Sequence, residues 1–312
     1  GGVDERDSRV VRALDVTHAV ARGAEAERKR LRPRPLKNDR AGLRNQEFVA
    51  ADRGNYLSES NELNNANYDR TSMLVNLVPP ADLVVGTITV PANASPGFNA
   101  TISYTVNNDG DDAARGSWYD SLYISADEAW DINDAFFGRV YHQGDVPGHS
   151  SYSHSLTAPL PGVLPGDYHV ILRSDIRNQI PESDETNNIG ASLDRTDVDA
   201  QLLELGVPGL GTLSRGQSLY YKVQVPAGET LLVTFDSGAE EAFTELYVSF
   251  EQMPSRTRSD FAAIEPFQPD QRVVVPLTQE GTYYLLAYGN QDSGAGQAYE
   301  ILARLVDFSV FD

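Results

Sequence analysis

Apolar and polar residues alternate with a period of two over much of this chain. Ala100, Ile102, Tyr104 and Val106 are separated by polar residues through 99–108, the pattern of a strand with one buried face. Similar runs fall at 166–173, 218–225, 230–235, 245–250, 272–277, 281–289 and 298–305. Shorter ones at 82–90, 121–125 and 136–140 add further strands. Turns rich in Asn, Asp, Gly and Pro punctuate the series, and long helical runs of Leu, Ala, Glu and Lys are scarce. The expected fold class is all-β, built from sandwiches of short strands.

A repeat divides the pattern into modules. Glu59-Ser60-Asn61-Glu62-Leu63-Asn64-Asn65 recurs 123 residues later as Glu182-Ser183-Asp184-Glu185-Thr186-Asn187-Asn188. Asp52 and Asn55 align with Asp175 and Asn178 in the same register. A chain with such self-similarity is read repeat by repeat. The expected organisation is a partial module over 1–78, a complete sandwich over 79–195 and a different sandwich over 196–312. Pro79-Pro80 forms a stiff connector between the first two. The partial module leaves sheet edges open, so the expected partner is another protein, including a copy of this chain, adding a strand there. Gly1-Gly2-Val3 suggests a processed or excerpted piece of a longer chain.

Composition narrows the functional classes. There is no cysteine, which excludes disulfides, thiolate catalysis and cysteine-based zinc sites. The net charge is −20. Residues 1–50 carry a net +4, and the remainder a net −24. A body this acidic repels phosphate backbones, so no nucleic-acid partner is expected. No stretch approaches the 18 or so apolar residues that a membrane span needs.

The candidate chemistry is sparse. Asp127, Asp131, Asn133 and Asp134 lie in an acidic loop whose oxygens could form part of a calcium shell. The alternative for that loop is a solvated turn with Asp and Asn capping backbone groups. The repeated Glu-to-Asn turn reads as structural, because Asn and Asp substitute for backbone in turns. Asn107 to Asp112 reads as a hairpin turn. His149 and His154 stand five residues apart with no helix to align them, at most a weak surface metal pair. Asn93 and Asn99 fit the N-glycosylation pattern. The 15 tyrosines offer carbohydrate or protein contact, although alternating strands use them mainly for packing. The basic run Arg28–Pro35 is either a polyanion patch or an exposed edge. No nucleophile elbow, phosphate loop or zinc-protease motif occurs.

Residues 82–192 resemble the CARDB family, the "cell adhesion related domain found in bacteria". The matching pieces are Asp82-Leu83-Val84-Val85, Val106-Asn107-Asn108-Asp109-Gly110, Asp120-Ser121-Leu122-Tyr123-Ile124-Ser125, Gly166-Asp167-Tyr168 and the closing Glu182–Asn188 turn. Residues 200–305 resemble the bacterial pre-peptidase C-terminal domain. That resemblance rests on Ser218–Val223, Pro226–Glu229, Leu246–Val248 and Gly281–Tyr284. Together the resemblances imply Ig-like sandwiches in tandem followed by a jelly-roll-like sandwich. They imply a secreted, multidomain bacterial protein serving adhesion, spacing or substrate association rather than chemistry; the expected function is non-enzymatic and structural or adhesive, at the cell surface or assembled into a polymer or filament. The alternative they leave open is an accessory region of a secreted hydrolase.

Overall fold

The computed structural model describes residues 43–45, 48–50, 58, 66–68, 73–75 and 80–307, apart from 240–241, 267 and 292–295. The basic run at Arg28–Pro35 and the Glu59–Asn65 turn lie outside the described residues. The chain divides into two compact units, Gly1–Val78 and Pro79–Asp312.

Four short strands are described in the first unit. β1 (Leu43–Asn45) pairs with β4 (Met73–Val75), and β2 (Phe48–Ala50) with β3 (Ala66–Tyr68), both antiparallel.

The second unit begins with nine strands in two facing sheets. They are β5 (Leu83–Thr89), β6 (Asn93–Ala94), β7 (Asn99–Asn108), β8 (Ser117–Ser125), β9 (Ala135–Gln143), β10 (Ser150–Pro159), β11 (Gly166–Arg173), β12 (Ile189–Ala191) and β13 (Thr196–Val198). One sheet runs β10-β7-β5. The other runs β6-β13-β11-β8-β9, with β12 also paired to β11. Inward residues of both sheets, including Ile102, Val106, Trp118, Leu122, Val170 and Leu172, form one buried cluster. Each large apolar side chain so buried contributes about 1.5–3 kcal/mol.

The register of the first unit repeats that of the second. Leu43↔Val75 in β1–β4 corresponds to Gly166↔Val198 in β11–β13, each position 123 residues further on. Phe48↔Tyr68 in β2–β3 corresponds to Ile171↔Ala191 in β11–β12 at the same offset. The repeat therefore extends beyond the acidic turn to the pairing of the strands that flank it.

Nine further strands form a second sandwich: β14 (Gln201–Leu202), β15 (Gly209–Leu213), β16 (Ser218–Val225), β17 (Leu231–Ser237), β18 (Phe243–Phe250), β19 (Phe261–Ala263), β20 (Gln271–Val275), β21 (Gly281–Gln291) and β22 (Gln297–Leu305). Its sheets run β14-β16-β21-β18-β19 and β15-β22-β17-β20. Alternation alone accounts for this core, where Val223, Val225, Leu231, Val233, Phe235, Leu285 and Ile301 point inward. A smaller cluster of Tyr220, Tyr247 and Leu286, with Met253 against it, lies apart from that core.

Two features depart from the pattern reading. Asn107–Asp112 is not a hairpin turn, because β7 and β8 belong to different sheets and the segment crosses between them. The buried Asn108 side chain makes the crossing. Its Oδ1 accepts from Asp82 N and Gly110 N, and its Nδ2 donates to the carbonyls of Asp112 and Val146. β10 is a ten-residue strand paired along its length with β7, yet its inward positions Tyr152, His154, Leu156 and Ala158 are too mixed to announce it.

Candidate functional site

The recurring acidic turn closes the first sandwich onto its own first strand. Glu182 is 4% exposed. Its Oε2 accepts from Leu83 N at 2.6 Å, and its Oε1 from Asn188 Nδ2 at 3.4 Å. Ser183 N donates to the Ala81 carbonyl at 2.8 Å, and Asn187 Nδ2 to Asp82 Oδ1 at 2.9 Å. The preceding bend needs left-handed backbone at Asp175 (φ 40) and Asn178 (φ 48), a conformation that Asn and Asp tolerate best among residues with a Cβ. Asp175 Oδ2 holds it by accepting from Ile180 N at 2.7 Å. Burial, with the charges of Glu185 and Asp175, pushes the Glu182 carboxyl up to about 7, against the lowering effect of the Leu83 and Asn188 bonds.

A second buried acid ties the sheets together. Asp120 on β8 accepts from Tyr104 Oη of β7 at 2.9 Å and Tyr152 Oη of β10 at 2.8 Å. Ser174 Oγ, just past β11, donates to its other oxygen at 2.9 Å. Burial raises the Asp120 carboxyl, and the donated bonds oppose that rise. Trp118 Nε1 donates to Tyr152 Oη at 3.0 Å and stacks on His142 at 4.3 Å. His142 Nδ1 lies 3.1 Å from His154 Nε2, and burial holds the His142 imidazole below its usual range. The structure thus pairs His154 with His142 rather than with His149, whose Nε2 lies 3.0 Å from Asp111. Each acceptor of this network has a donor, the arrangement that makes a buried polar group tolerable.

The calcium candidates are used otherwise. Asp127 Oδ1 accepts from Ala129 N, Asp131 Oδ1 from Asn133 N, and Asp134 Oδ2 from Asp131 N. These are three local backbone caps, not one converging shell. Among the described residues no group of three or more His, Asp or Glu is placed to hold a metal ion.

What the loop does position is Trp130, and with it an outward face of β8, β9 and β11. Register sets this face in rows: Tyr119 beside Tyr141, Ser121 between Arg139 and Arg173, and Tyr123 beside Phe136. Arg173 lies over the Trp130 ring at 3.9 Å, Arg177 over Tyr119 at 5.2 Å, and Arg139 within 5.8 Å of both Tyr119 and Phe136. Arg139 Nε donates to Ser121 Oγ at 3.1 Å. Among the described residues, Trp130 Nε1 and Arg173 Nε are buried donors without a partner. No single stretch of sequence carries this face, since its residues come from three strands and two loops.

The two sandwiches of the second unit are joined by a clasp. Directly after β13, both carboxylate oxygens of Asp199 accept from Lys222 Nζ on β16, at 2.6 and 2.7 Å. β14 then runs parallel to β16, and Leu203 N donates to the Lys222 carbonyl at 2.8 Å. Leu203 is buried in the second core. The Tyr220 ring lies against Gly162, where a Cβ would meet it at 2.6 Å. Gly97, at φ 84, brings its backbone against the Ser218 carbonyl, where a side chain would collide. The outer surface of β16 is therefore partly covered by the first sandwich.

Among the described residues, fold and site define a modular, all-β chain of sandwiches whose buried acids brace structure. Residues 80–192 match the family model of CARDB. No curated protein matches the chain. Among solved structures it is similar to the CARDB domain of a Pyrococcus furiosus protein in complex with di-metal ions, at 16% identity and TM-score 0.30, over 39% of this chain and 96% of that one. It is also similar to the pre-peptidase C-terminal domain of a Bacillus anthracis collagenase, at 16% identity and TM-score 0.28, over 34% and 94%. A secreted serine protease from Vibrio cholerae is similar at 8% identity and TM-score 0.25, over 70% and 51%. Among the described residues no helix is long and apolar enough to cross a membrane.

Proposed function

We propose that this chain is a non-enzymatic, extracellular structural segment that holds β-sandwiches in series as a stiff spacer for adhesion or assembly. The clasp carries this reading. Two sandwiches joined by a free linker would move independently, whereas here the connecting residues are themselves a strand of the second sandwich. The Asp199–Lys222 pair alone contributes little, about 0–1 kcal/mol at a partly exposed site. Stiffness comes from combining it with the β14–β16 ladder, the buried Leu203 and the Tyr220–Gly162 contact. The repeated strand register supports reading the first unit as another CARDB-type copy, and so the chain as a series.

The chain has no native cysteine, so spin labels at Ser153→Cys and Arg304→Cys report only the two sandwiches. Pulsed electron resonance should give one narrow distance distribution. Replacing Lys222 and Tyr220 together by Ala should broaden it. A distribution already broad in the unmodified chain would refute the stiff spacer.

A further inference from the structure

Four of the five arginines in the first sandwich gather on the sheet containing β8, β9 and β11: Arg139, Arg173, Arg177 and Arg195, with only Arg115 elsewhere. Arg115 pairs with Asp112 and Asp145. Among the described residues Arg139, Arg173 and Arg177 have no carboxylate within ion-pair reach. That is unexpected in a chain with 45 acids and a net charge of −20. The three are held against aromatic rings, which fixes the guanidinium planes without using their outer donors. Phe136 and Tyr141 are each 51% exposed beside them. Strands about 4.8 Å apart and rows about 6.8 Å apart make this a flat patch of aromatic rings and guanidinium groups. Arg, Tyr and Trp are the residues that dominate binding energy at protein interfaces.

The complementary surface is present on the same molecule. One end of the sandwich collects the 109–112 crossing, the segment around Asp145 and the closing turn with Asp184 and Glu185. Asp109 N bonds the Asp82 carbonyl and Ser183 N the Ala81 carbonyl, which brings these segments together. Asp109, Asp111, Asp145, Asp184 and Glu185 are all exposed there. Guanidinium groups lie over Trp130, Tyr119 and Phe136, and what they present outward is donors for carboxylates.

We propose that the outer face of β8, β9 and β11 docks the carboxylate-rich end of a second copy of this chain. The contact uses different patches on the two partners. It is therefore heterologous, and repeated it builds open chains of molecules rather than a closed dimer. This proposal does not depend on the stiff-spacer reading and can fail without it.

Sedimentation velocity on the full chain, from low to high micromolar at 50 and 500 mM NaCl, tests it. The expected result is growth beyond dimers with concentration, weakened at least tenfold by high salt. Arg139→Glu with Arg177→Glu should abolish growth, as should Asp184→Lys with Glu185→Lys. Mixing the two charge-reversed proteins should restore one-to-one pairing. Tryptophan emission melts would establish that each variant is folded. A folded wild-type chain that stays monomeric at both salts overturns the proposal, as does association indifferent to both reversals. A monomer that instead binds polygalacturonate through Arg139 and Arg177 also overturns it, and makes the face a glycan site.

Discussion

The two sandwiches of the second unit solve the same packing problem with different interiors. In the second, the apolar core is large, and the buried amides Gln271 and Gln297 stand at the starts of β20 and β22, on the same faces as Val273 and Ile301. Within it the Tyr221 and Tyr299 hydroxyls bond each other, while Gln271 and Gln297 bond neighbours at the strand ends. In the first, Asp120 on β8 bonds the facing sheet through Tyr104 and Tyr152 and the chain just past β11 through Ser174, while Asn108 and Glu182 bond loops and the first strand. The second spends its strongest polar cluster outside the core, where Glu245 receives a bidentate Arg256 at 2.6 and 2.7 Å beside Tyr247 and Asn290. A mainly apolar interior gains more from area burial, and buried polar groups add uniqueness of connection. The first sandwich crosses between sheets at 109–116 and closes with an irregular turn, and those are the places its buried polar groups hold.

Both tryptophans, Trp118 and Trp130, lie in the first sandwich, so indole emission follows that sandwich while calorimetry follows both. The largest effect should come from Phe235→Ala in the second core, a loss of about 3–5 kcal/mol through the cavity it leaves. It should lower a calorimetric transition and leave the tryptophan midpoint in place. Equal shifts in both signals would mean that the sandwiches unfold as one body. Asp120→Ala should follow at about 2–4 kcal/mol, because the Tyr104, Tyr152 and Ser174 hydroxyls lose their acceptor. Here the tryptophan midpoint should move. A change within 0.5 kcal/mol or so would deny that the network braces the sheets.

A subtler contrast concerns pH. Glu182 titrates near 7 in the folded chain, above its ordinary value of 4.5. The folded state therefore binds its proton more tightly than the unfolded state does. Its contribution is fully present below about 4.5 and is lost as pH rises through about 7. His142, held low, works in the opposite direction, losing stability as pH falls through the ordinary histidine range. Glu182→Gln keeps an acceptor for Leu83 N and removes the titration. Denaturant melts of wild type and variant, followed by tryptophan emission from pH 4.5 to 8, should diverge in favour of the variant as pH rises. Parallel curves would mean that Glu182 ionises normally. Smallest should be Arg256→Ala, about 1–2 kcal/mol in the calorimetric transition alone, from a partly exposed charge pair on a buried carboxylate.

Much of the architecture was legible in residue order. The strands 99–108, 166–173, 218–225 and 298–305 show their faces by alternation, and the structure places Ile102, Leu172, Val223 and Ile301 inside. Segments with polar residues at inward positions hid themselves. β10 escaped notice because His154 and Tyr152 replace aliphatic residues on its buried face, and β8 begins at Ser117 because Trp118 and Asp120 turn inward. The acidic loop drew attention through its ligand count, but a count says nothing about convergence, and its oxygens cap three separate amides.

By itself, the sequence determined that this is an all-β, modular chain, where its alternating faces lie, and that a 123-residue unit recurs. Those properties depend on neighbours along the chain, and periodicity records them. Only the tertiary structure decided that β2–β3 and β11–β12 share one register, that Asp199 and Lys222 clasp two sandwiches, and that Arg139, Arg173 and Arg177 meet on one face with no carboxylate partner among the described residues. Each joins residues from separate strands or loops, and contacts of that kind are set by which strands lie side by side.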